Sequence, residues 1–196
     1  MKQYFTRFIT AISLTVSVII SVYGCATSEE FVRPDTNFTK YKRVAVLPLV
    51  DYPAFPGSGV QVADIISMKL LSSKLTILDR IQTSQILNEQ SIGMSGIIDN
   101  NTAPEVGKIL GVQALLTGSI NEYGTTTVDI QVVQGGKPAP MDISAAGITL
   151  KLIDCETGQI IWAGSARGTK VGNHVEAIAA SKAVEDLLKS FNKHFH

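Results

Sequence analysis

The fold is decided by residues 102–120, which read TAPEVGKILGVQALLTGSI. Thr102, followed by a proline and an acid, is typical of a helix start, because both residue types suit the first turn of a helix. Gly111 predicts the end of that helix, since glycine readily adopts the positive φ of a C-terminal cap. The apolar run 112–120 then predicts a buried strand. A helix that leads directly into a buried strand indicates an α/β arrangement.

Upstream of this segment, strands and helices also alternate. Residues 43–49 form a compact apolar run of strand length. The loop 51–59 is rich in proline and glycine, and a helix with apolar residues at helical spacing follows it, with Ser58 as the expected cap. A short strand at 75–78 and a helix from Asp79 complete a β-α-β-α-α-β order.

Downstream, the pattern changes from helical to strand-like. Residues 125–134 alternate polar and branched apolar side chains, and 143–153 do the same after a glycine- and proline-rich turn. A return strand carries Trp162, and 174–195 has the apolar stripe of a helix. The predicted fold class is therefore α/β (α+β), with a β-α-β-α-α-β core, an antiparallel meander and a C-terminal helix packed on the sheet.

The first 24 residues have the pattern of an export signal. Lys2 and Arg7 make the start basic, and 8–22 is apolar or hydroxylated throughout. That run of about 15 residues is short for a membrane-spanning helix, which needs about 20; a single membrane anchor is the alternative. Without Lys2 and Arg7 the chain keeps 15 basic residues against 17 acidic ones. Such a balance argues against a general nucleic-acid binder.

The sequence VYGC at 22–25 resembles the bacterial lipobox, although Tyr23 is larger than the usual residue. The resemblance implies a diacylglycerol thioether on Cys25, cleavage just before it, and acylation of the new amino terminus, for example with palmitate. Two or more acyl chains anchor a protein stably to a bilayer. Ala26 favours the outer membrane, because lipoproteins retained in the inner membrane typically carry Asp there.

The predicted organisation has three parts. Residues 1–24 are a signal peptide that is removed, and 25–41 are a lipidated tether, polar and without periodicity. Residues 42–196 form a single α/β domain. Fully extended, the tether spans at most about 55 Å at about 3.4 Å per residue.

Three segments, 41–49, 102–120 and 147–162, together with the lipobox, resemble the curli-secretion channel lipoproteins of the CsgG family and related periplasmic lipoprotein domains. The resemblance implies an outer-membrane lipoprotein that forms a ring, each subunit adding two amphipathic β-hairpins to an export pore. We therefore expect a non-catalytic assembly or secretion accessory, or an adaptor. It would be lipid-anchored through Cys25 in the outer membrane, face the periplasm, bind other envelope proteins and have the capacity to form a homo-oligomer.

The sequence departs from the pore-forming pattern at the hairpins. Residues 125–144 are one candidate, but Lys137 to Pro140 make a poor second strand. Between Trp162 and His174 there is no room for another hairpin. A ring-forming secretion pore subunit therefore remains an alternative, as does a lipoprotein regulator of a peptidoglycan synthase. The short tether favours work close to the anchoring membrane over a regulator that must cross the periplasm.

Nothing in the sequence predicts catalysis. The chain has no Gly-x-Ser-x-Gly, His-Glu-x-x-His or Cys-x-x-Cys motif, and its loop 56–59 lacks the lysine of a P-loop. Cys155 lies between two acids, which raise a thiol pKa. His174 suits a helix start, and His194 and His196 lie at the terminus. We expect no catalytic, metal-ligating or cofactor-binding residue, no cofactor and no small-molecule substrate.

Overall fold

A computed structural model describes residues 28–89, 101–131 and 136–195. The predicted signal peptide 1–24 and the predicted lipidation site Cys25 lie outside these ranges. Among the described residues, no helix has the length and apolar character needed to cross a bilayer.

The strands are β1 (Glu29–Val32), β2 (Arg43–Val46), β3 (Thr76–Leu78), β4 (Ala114–Ile130), β5 (Ala139–Asp154) and β6 (Ile160–Val171). The α-helices are α1 (Ser58–Leu70), α2 (Arg80–Glu89), α3 (Ala103–Leu110) and α4 (Glu176–Phe191), and short 3-10 helices span Phe38–Lys40 and Asn192–Phe195. The strands form one mixed sheet in the order β1-β6-β5-β4-β2-β3.

The sheet confirms the predicted fold class. β2 pairs in parallel with β3 and with β4, as the β-α-β-α-α-β order requires. β4, β5 and β6 form the antiparallel meander. The predicted stop signal of α3 is also confirmed, because Gly111 caps this helix with a φ of 63°. Thr102 occupies the N-cap position without a side-chain cap bond, and a proline stands in the first turn.

Two apolar cores lie on opposite faces of the sheet. The larger packs α1 and α4 against one face, with Trp162 and Phe191 edge to face at 5.0 Å. The smaller packs α2 and α3 against the other face, over Leu115 and Ile153. Gly168 allows the close approach of α4, because a Cβ there would lie 2.0 Å from the carbonyl oxygen of Ala179.

The strands predicted at 112–120 and 125–134 are one continuous strand, β4, with a register shift between Ile120 and Glu122. A bulge inserts one extra residue and reverses the alternation beyond it. As a result Tyr123 is buried in the larger core, whereas Glu122 faces the other side and pairs with Arg167.

The expectation that Lys137 to Pro140 make a poor second strand is wrong for its last two residues. Ala139 pairs with Ile130 and Pro140 with Asp129 at the loop end of the β4–β5 hairpin. The last β5–β6 pair is Ile143 with Val171, and the N–H of Gly172 still donates to the Asp142 carbonyl, so the free edge of β5 begins before Asp142 and includes Pro140, where proline is tolerated. One face of this hairpin end carries a set of apolar side chains: Val128, Ile130, Met141, Ile143 and, on β6, Val171.

The tether predicted over 25–41 is wrong from Glu29 onward. Glu29–Val32 pairs antiparallel with β6 as the sheet's edge strand, and Phe38 and Tyr41 are buried. The physical reason is that the partners of this segment lie at the far end of the chain, where no local pattern reveals them.

Candidate functional site: the strand nearest the predicted anchor

The direction of β1 determines at which end of the sheet Glu29 lies. Glu29 lies opposite Ser165, and Val32 lies opposite Trp162. Because the pair is antiparallel, the Glu29 end of β1 lies toward the end of the sheet where β6 finishes at Val171. The apolar hairpin end of β4 and β5 lies at that same end.

Glu30 fastens β1 to the body of the domain. Its Oε1 accepts a 2.6 Å hydrogen bond from the indole Nε1 of Trp162 and lies 2.7 Å from His194 Nε2, and its Oε2 accepts from the hydroxyl of Ser190. Burial alone would raise the pKa of Glu30, but the hydrogen bonds from Ser190, Trp162 and His194, with the charge of His194, hold it below its ordinary value. A single carboxylate thus joins β1 to β6, α4 and the C-terminal 3-10 helix; we call this set the Glu30 clamp.

Aromatic side chains also hold the segment after β1 against the domain. The ring of Phe38 stacks on that of His194 with 4.8 Å between the ring centroids, and it meets the ring of Phe195 edge to face with 5.3 Å between the centroids. Phe195 in turn contacts Phe191 of α4 at 4.7 Å. The segment that follows β1 is therefore packed against the C-terminal helices.

The far end of the same segment is held by Asp154. Its Oδ2 accepts from Lys40 Nζ at 2.8 Å and from the Tyr41 hydroxyl at 3.1 Å, and its Oδ1 accepts from the backbone N–H of Glu156. Burial would raise the pKa of Asp154, yet these donors keep it below its usual range. Asp154 correspondingly raises the pKa of Lys40. Residues 29–41 are thus fixed to the domain at both ends.

Asp51, in the loop 51–59, caps the start of α1. Asp51 accepts from the backbone N–H of Gly57 at 2.8 Å and of Gly59 at 2.7 Å, at the start of α1. A carboxylate therefore already occupies this helix N-terminus, which is consistent with the absence of a P-loop lysine. Ser58 does not cap the helix as expected; its hydroxyl accepts from the N–H of Tyr52 instead.

Cys155 and His174, the other residues considered for chemistry, do not form a site with each other. Burial and the nearby Asp154 raise the pKa of the Cys155 thiol to about 12, as the flanking acids predicted. His174 is exposed, with a φ of 56°, just before α4. Within residues 28–89, 101–131 and 136–195, no three His, Cys, Asp or Glu side chains are grouped to hold a metal ion.

Comparison with known proteins identifies the family. Residues 9–193 match the family described as "Curli production assembly/transport component CsgG". The chain belongs to the CsgG family. The description places the family in the assembly and transport of curli, which agrees with the accessory role expected from the sequence. No match was found among curated proteins.

Solved structures share the fold at low sequence identity. The PelC dodecamer from Paraburkholderia phytofirmans superposes with a TM-score of 0.56 at 17% identity, covering 86% of this chain and 98% of that one. Lipoprotein GNA1162 from Neisseria meningitidis gives 0.55 at 15%, covering 77% and 98%. The hypothetical protein CT253 from Chlamydia trachomatis gives 0.51 at 14%, covering 79% and 98%.

Proposed function

We propose that this CsgG-family chain is an outer-membrane lipoprotein, anchored through acylated Cys25 with its domain facing the periplasm. It serves as a non-catalytic assembly or secretion accessory that binds other envelope proteins. The family description as an assembly and transport component supports the role. The similarity of the fold to a lipoprotein from Neisseria meningitidis agrees with it.

The docking of β1 is the observation that carries the proposal. Glu29 stands four positions after Cys25. At about 3.4 Å per extended residue, the sheet therefore begins within about 14 Å of the acylated sulfur. The Glu30 clamp holds that strand in place, so the domain works directly at the membrane surface rather than at the end of a long tether.

This short distance disfavours the regulator of a peptidoglycan synthase. Such a protein must reach a cell-wall enzyme across the periplasm, which a long disordered linker allows. Here the residues that would have formed a linker, 29–41, are fixed by Glu30 and Asp154. The domain can therefore lie at most about 14 Å from the anchor, whereas a free 25–41 segment would allow about 55 Å.

A ring-forming secretion pore subunit is the second candidate, favoured by the β4–β5 hairpin. Its loop end is paired up to Ile130 and Ala139. One face of this end is apolar and the other is polar, and on the polar face Thr127 donates to Asp142 at 2.6 Å. Only residues 127–130 of β4 and 139–142 of β5 extend past β6, fewer than the about 9–11 residues that a membrane strand needs. We therefore rank it below the accessory role.

The test is acylation and membrane location of the full-length protein. Wild type should incorporate labelled palmitate and sediment with the outer-membrane fraction of cells, whereas Cys25→Ser should lose the label and leave that fraction. Cys155→Ser is the matched control, and it should behave as wild type. Unlabelled wild type, or wild type recovered free of membranes, would contradict the proposal.

A crosslinking experiment in the same cells addresses the partner. A crosslinker in wild-type membranes should capture an envelope protein located at the outer membrane, and Cys25→Ser should capture much less of it. Capture of a peptidoglycan synthase instead would support the regulator.

A further inference from the structure

A small pocket with aromatic walls lies at the end of the sheet where β2, β3 and β4 begin. There Gln113, just before β4, accepts from the backbone N–H of Arg43 at 2.8 Å, and the N–H of Thr76 in β3 donates to the Lys42 carbonyl at 2.8 Å. This pocket, which we call the Phe38 pocket, has a volume of about 190 Å³ and is lined by Phe38, Thr39, Tyr41, Lys42, Lys74, Leu75, His194 and Phe195. It lies at the opposite end of the sheet from the loop end of the β4–β5 hairpin.

Rings form much of the wall of the Phe38 pocket. Between centroids, the ring of Phe38 lies 6.3 Å from that of Tyr41, and it also contacts the rings of His194 and Phe195. Phe38 and Tyr41 are buried, and the Glu30 clamp holds His194 in place. The rings are therefore positioned in advance to receive an apolar or aromatic side chain.

Lys42 and Lys74 bring positive charge to this pocket, and no carboxylate in its lining balances that charge. Both side chains are exposed, and within 28–89, 101–131 and 136–195 neither ammonium group forms an ion pair. The hydroxyls of Tyr41 and Thr39 already donate to side chains of the domain, and the backbone N–H groups of Lys42 and Leu75 are bonded there too. The two ammonium groups are thus donors that a ligand can still use.

The neighbouring cavity around Lys40 has a different charge balance. It has a volume of about 250 Å³, and its lining includes two amines, Lys40 and Lys108, and two carboxylates, Asp154 and Glu156. Lys40 pairs with both of these acids. An anionic ligand is therefore favoured in the Phe38 pocket and not in this cavity.

The size and lining of the Phe38 pocket together restrict its ligand. Its volume of about 190 Å³ is below the about 300–1,000 Å³ of clefts that hold drug-sized ligands, so it suits one large side chain. The rings favour an apolar side chain, and the two ammonium groups favour a negative charge on the same residue. In a polypeptide, only the C-terminal residue carries an apolar side chain and a carboxylate together.

We propose that the Phe38 pocket binds the C-terminal residue of another protein. An aromatic or branched apolar side chain lies among the rings, and the free α-carboxylate accepts hydrogen bonds from Lys42 and Lys74. Capture of a chain end by its carboxylate is a recurring mode of peptide recognition. Glu29 lies toward the other end of the sheet, so the pocket faces away from the anchored end; this step rests on the proposed function and makes the partner an envelope protein.

Peptide binding to the detergent-solubilised full-length protein tests the proposal. The probes are short serine-glycine peptides that end in phenylalanine or leucine with a free carboxylate, carry fluorescein at the amino terminus and are followed by fluorescence anisotropy. A C-terminal amide removes the charge, and moving the phenylalanine to an internal position separates the ring from the charge. Each change should weaken binding about tenfold or more.

A charge-reversal variant locates the binding site. Lys74→Glu should weaken binding of the acid-ended peptides about tenfold or more. Lys108→Glu is the matched control, because Lys108 is also exposed, lines the neighbouring cavity and changes the net charge equally; its dissociation constant should stay within about twofold of wild type. The emission of Trp162, the only tryptophan, should be the same in both variants and in wild type if they are folded.

Free phenylalanine distinguishes a chain end from a free amino acid. Its own ammonium group would lie beside Lys42 and Lys74, where like charges repel, so it should compete about tenfold more weakly than N-acetylphenylalanine. Equal competition would assign the pocket to a free amino acid and overturn the proposal.

Three further results would overturn it: no binding of either acid-ended peptide, equal binding of the acid and amide forms, or equal losses in Lys74→Glu and Lys108→Glu. The comparison of acid with amide uses wild type alone, so it is decisive even if a variant misfolds. None of these measurements needs a membrane. Absence of peptide binding would therefore leave the proposed anchoring intact, and loss of anchoring would leave the peptide site intact.

Discussion

The indole Nε1 of Trp162 lies 2.6 Å from Oε1 of Glu30, across the pairing of β1 with β6. Trp162 is fully buried, so its N–H depends on this carboxylate for a partner. The emission of the single tryptophan therefore reports on the docking of the strand nearest the predicted anchor.

Replacement of Glu30 should undock that strand. Glu30→Ala leaves the Trp162 N–H without its acceptor and removes the contacts to Ser190 and His194, so we expect the free energy of unfolding to fall by about 1–3 kcal/mol. Urea titration followed by Trp162 emission measures the loss. Glu30→Gln, which keeps an acceptor oxygen, should lose less, and equal losses in the two variants would contradict the clamp.

The same carboxylate predicts a pH dependence. Hydrogen bonds and His194 hold the pKa of Glu30 below its ordinary 4.5, although burial opposes them. Its contribution to stability is therefore fully present above about pH 4.5 and is lost as the pH falls through the lower folded-state pKa. The difference in unfolding free energy between wild type and Glu30→Gln should be constant between about pH 5 and 4.5 and should shrink below that. A difference that grows on acidification would contradict this assignment.

The N-terminus of α1 should depend on Asp51 rather than on Ser58. Asp51 accepts from two backbone N–H groups at this helix end. Asp51→Ala should therefore lower the unfolding free energy by about 1–2 kcal/mol in thermal or urea melts. Glu185→Ala is the control, because Glu185 forms only a surface ion pair with Lys69 at 3.6 Å, and its loss should be within about 0.5 kcal/mol. Equal losses would show that the cap is not the source of the stability.

The Cys155 thiol should be inert in the folded protein. With its pKa raised to about 12 by burial and by Asp154, the thiolate is scarce at neutral pH. Alkylation by iodoacetamide should be at least about tenfold slower in native protein than in urea, where the pKa returns toward about 8.5. The reaction is followed by mass spectrometry of the protein with Cys25→Ser. If Cys155 were alkylated as fast in the native protein as in urea, the thiol would not be buried and protonated as described.

The sequence predicts those parts of the fold that are set by local patterns. Pro104 and Gly111 place both ends of α3, and alternating side chains predict the second half of β4 and most of β5. These signals are readable because the backbone geometry they require involves only neighbouring residues.

The sequence does not predict features that depend on distant partners. β1 has no alternation of its own, and Glu30 meets residues 132 to 164 positions away. The bulge between Ile120 and Glu122 has no glycine or proline to mark it. Cys25 as the lipid site remains a prediction, because it rests on the lipobox alone.

The long separation between Glu30 and His194 also orders events in time. β1 has nothing to pair with while the chain is emerging, since β6 and the C-terminal helices are the last parts to be synthesised. β1 therefore stays unpaired until the final residues arrive. Under the proposed lipid anchoring, processing at Cys25 would precede closure of the sheet edge.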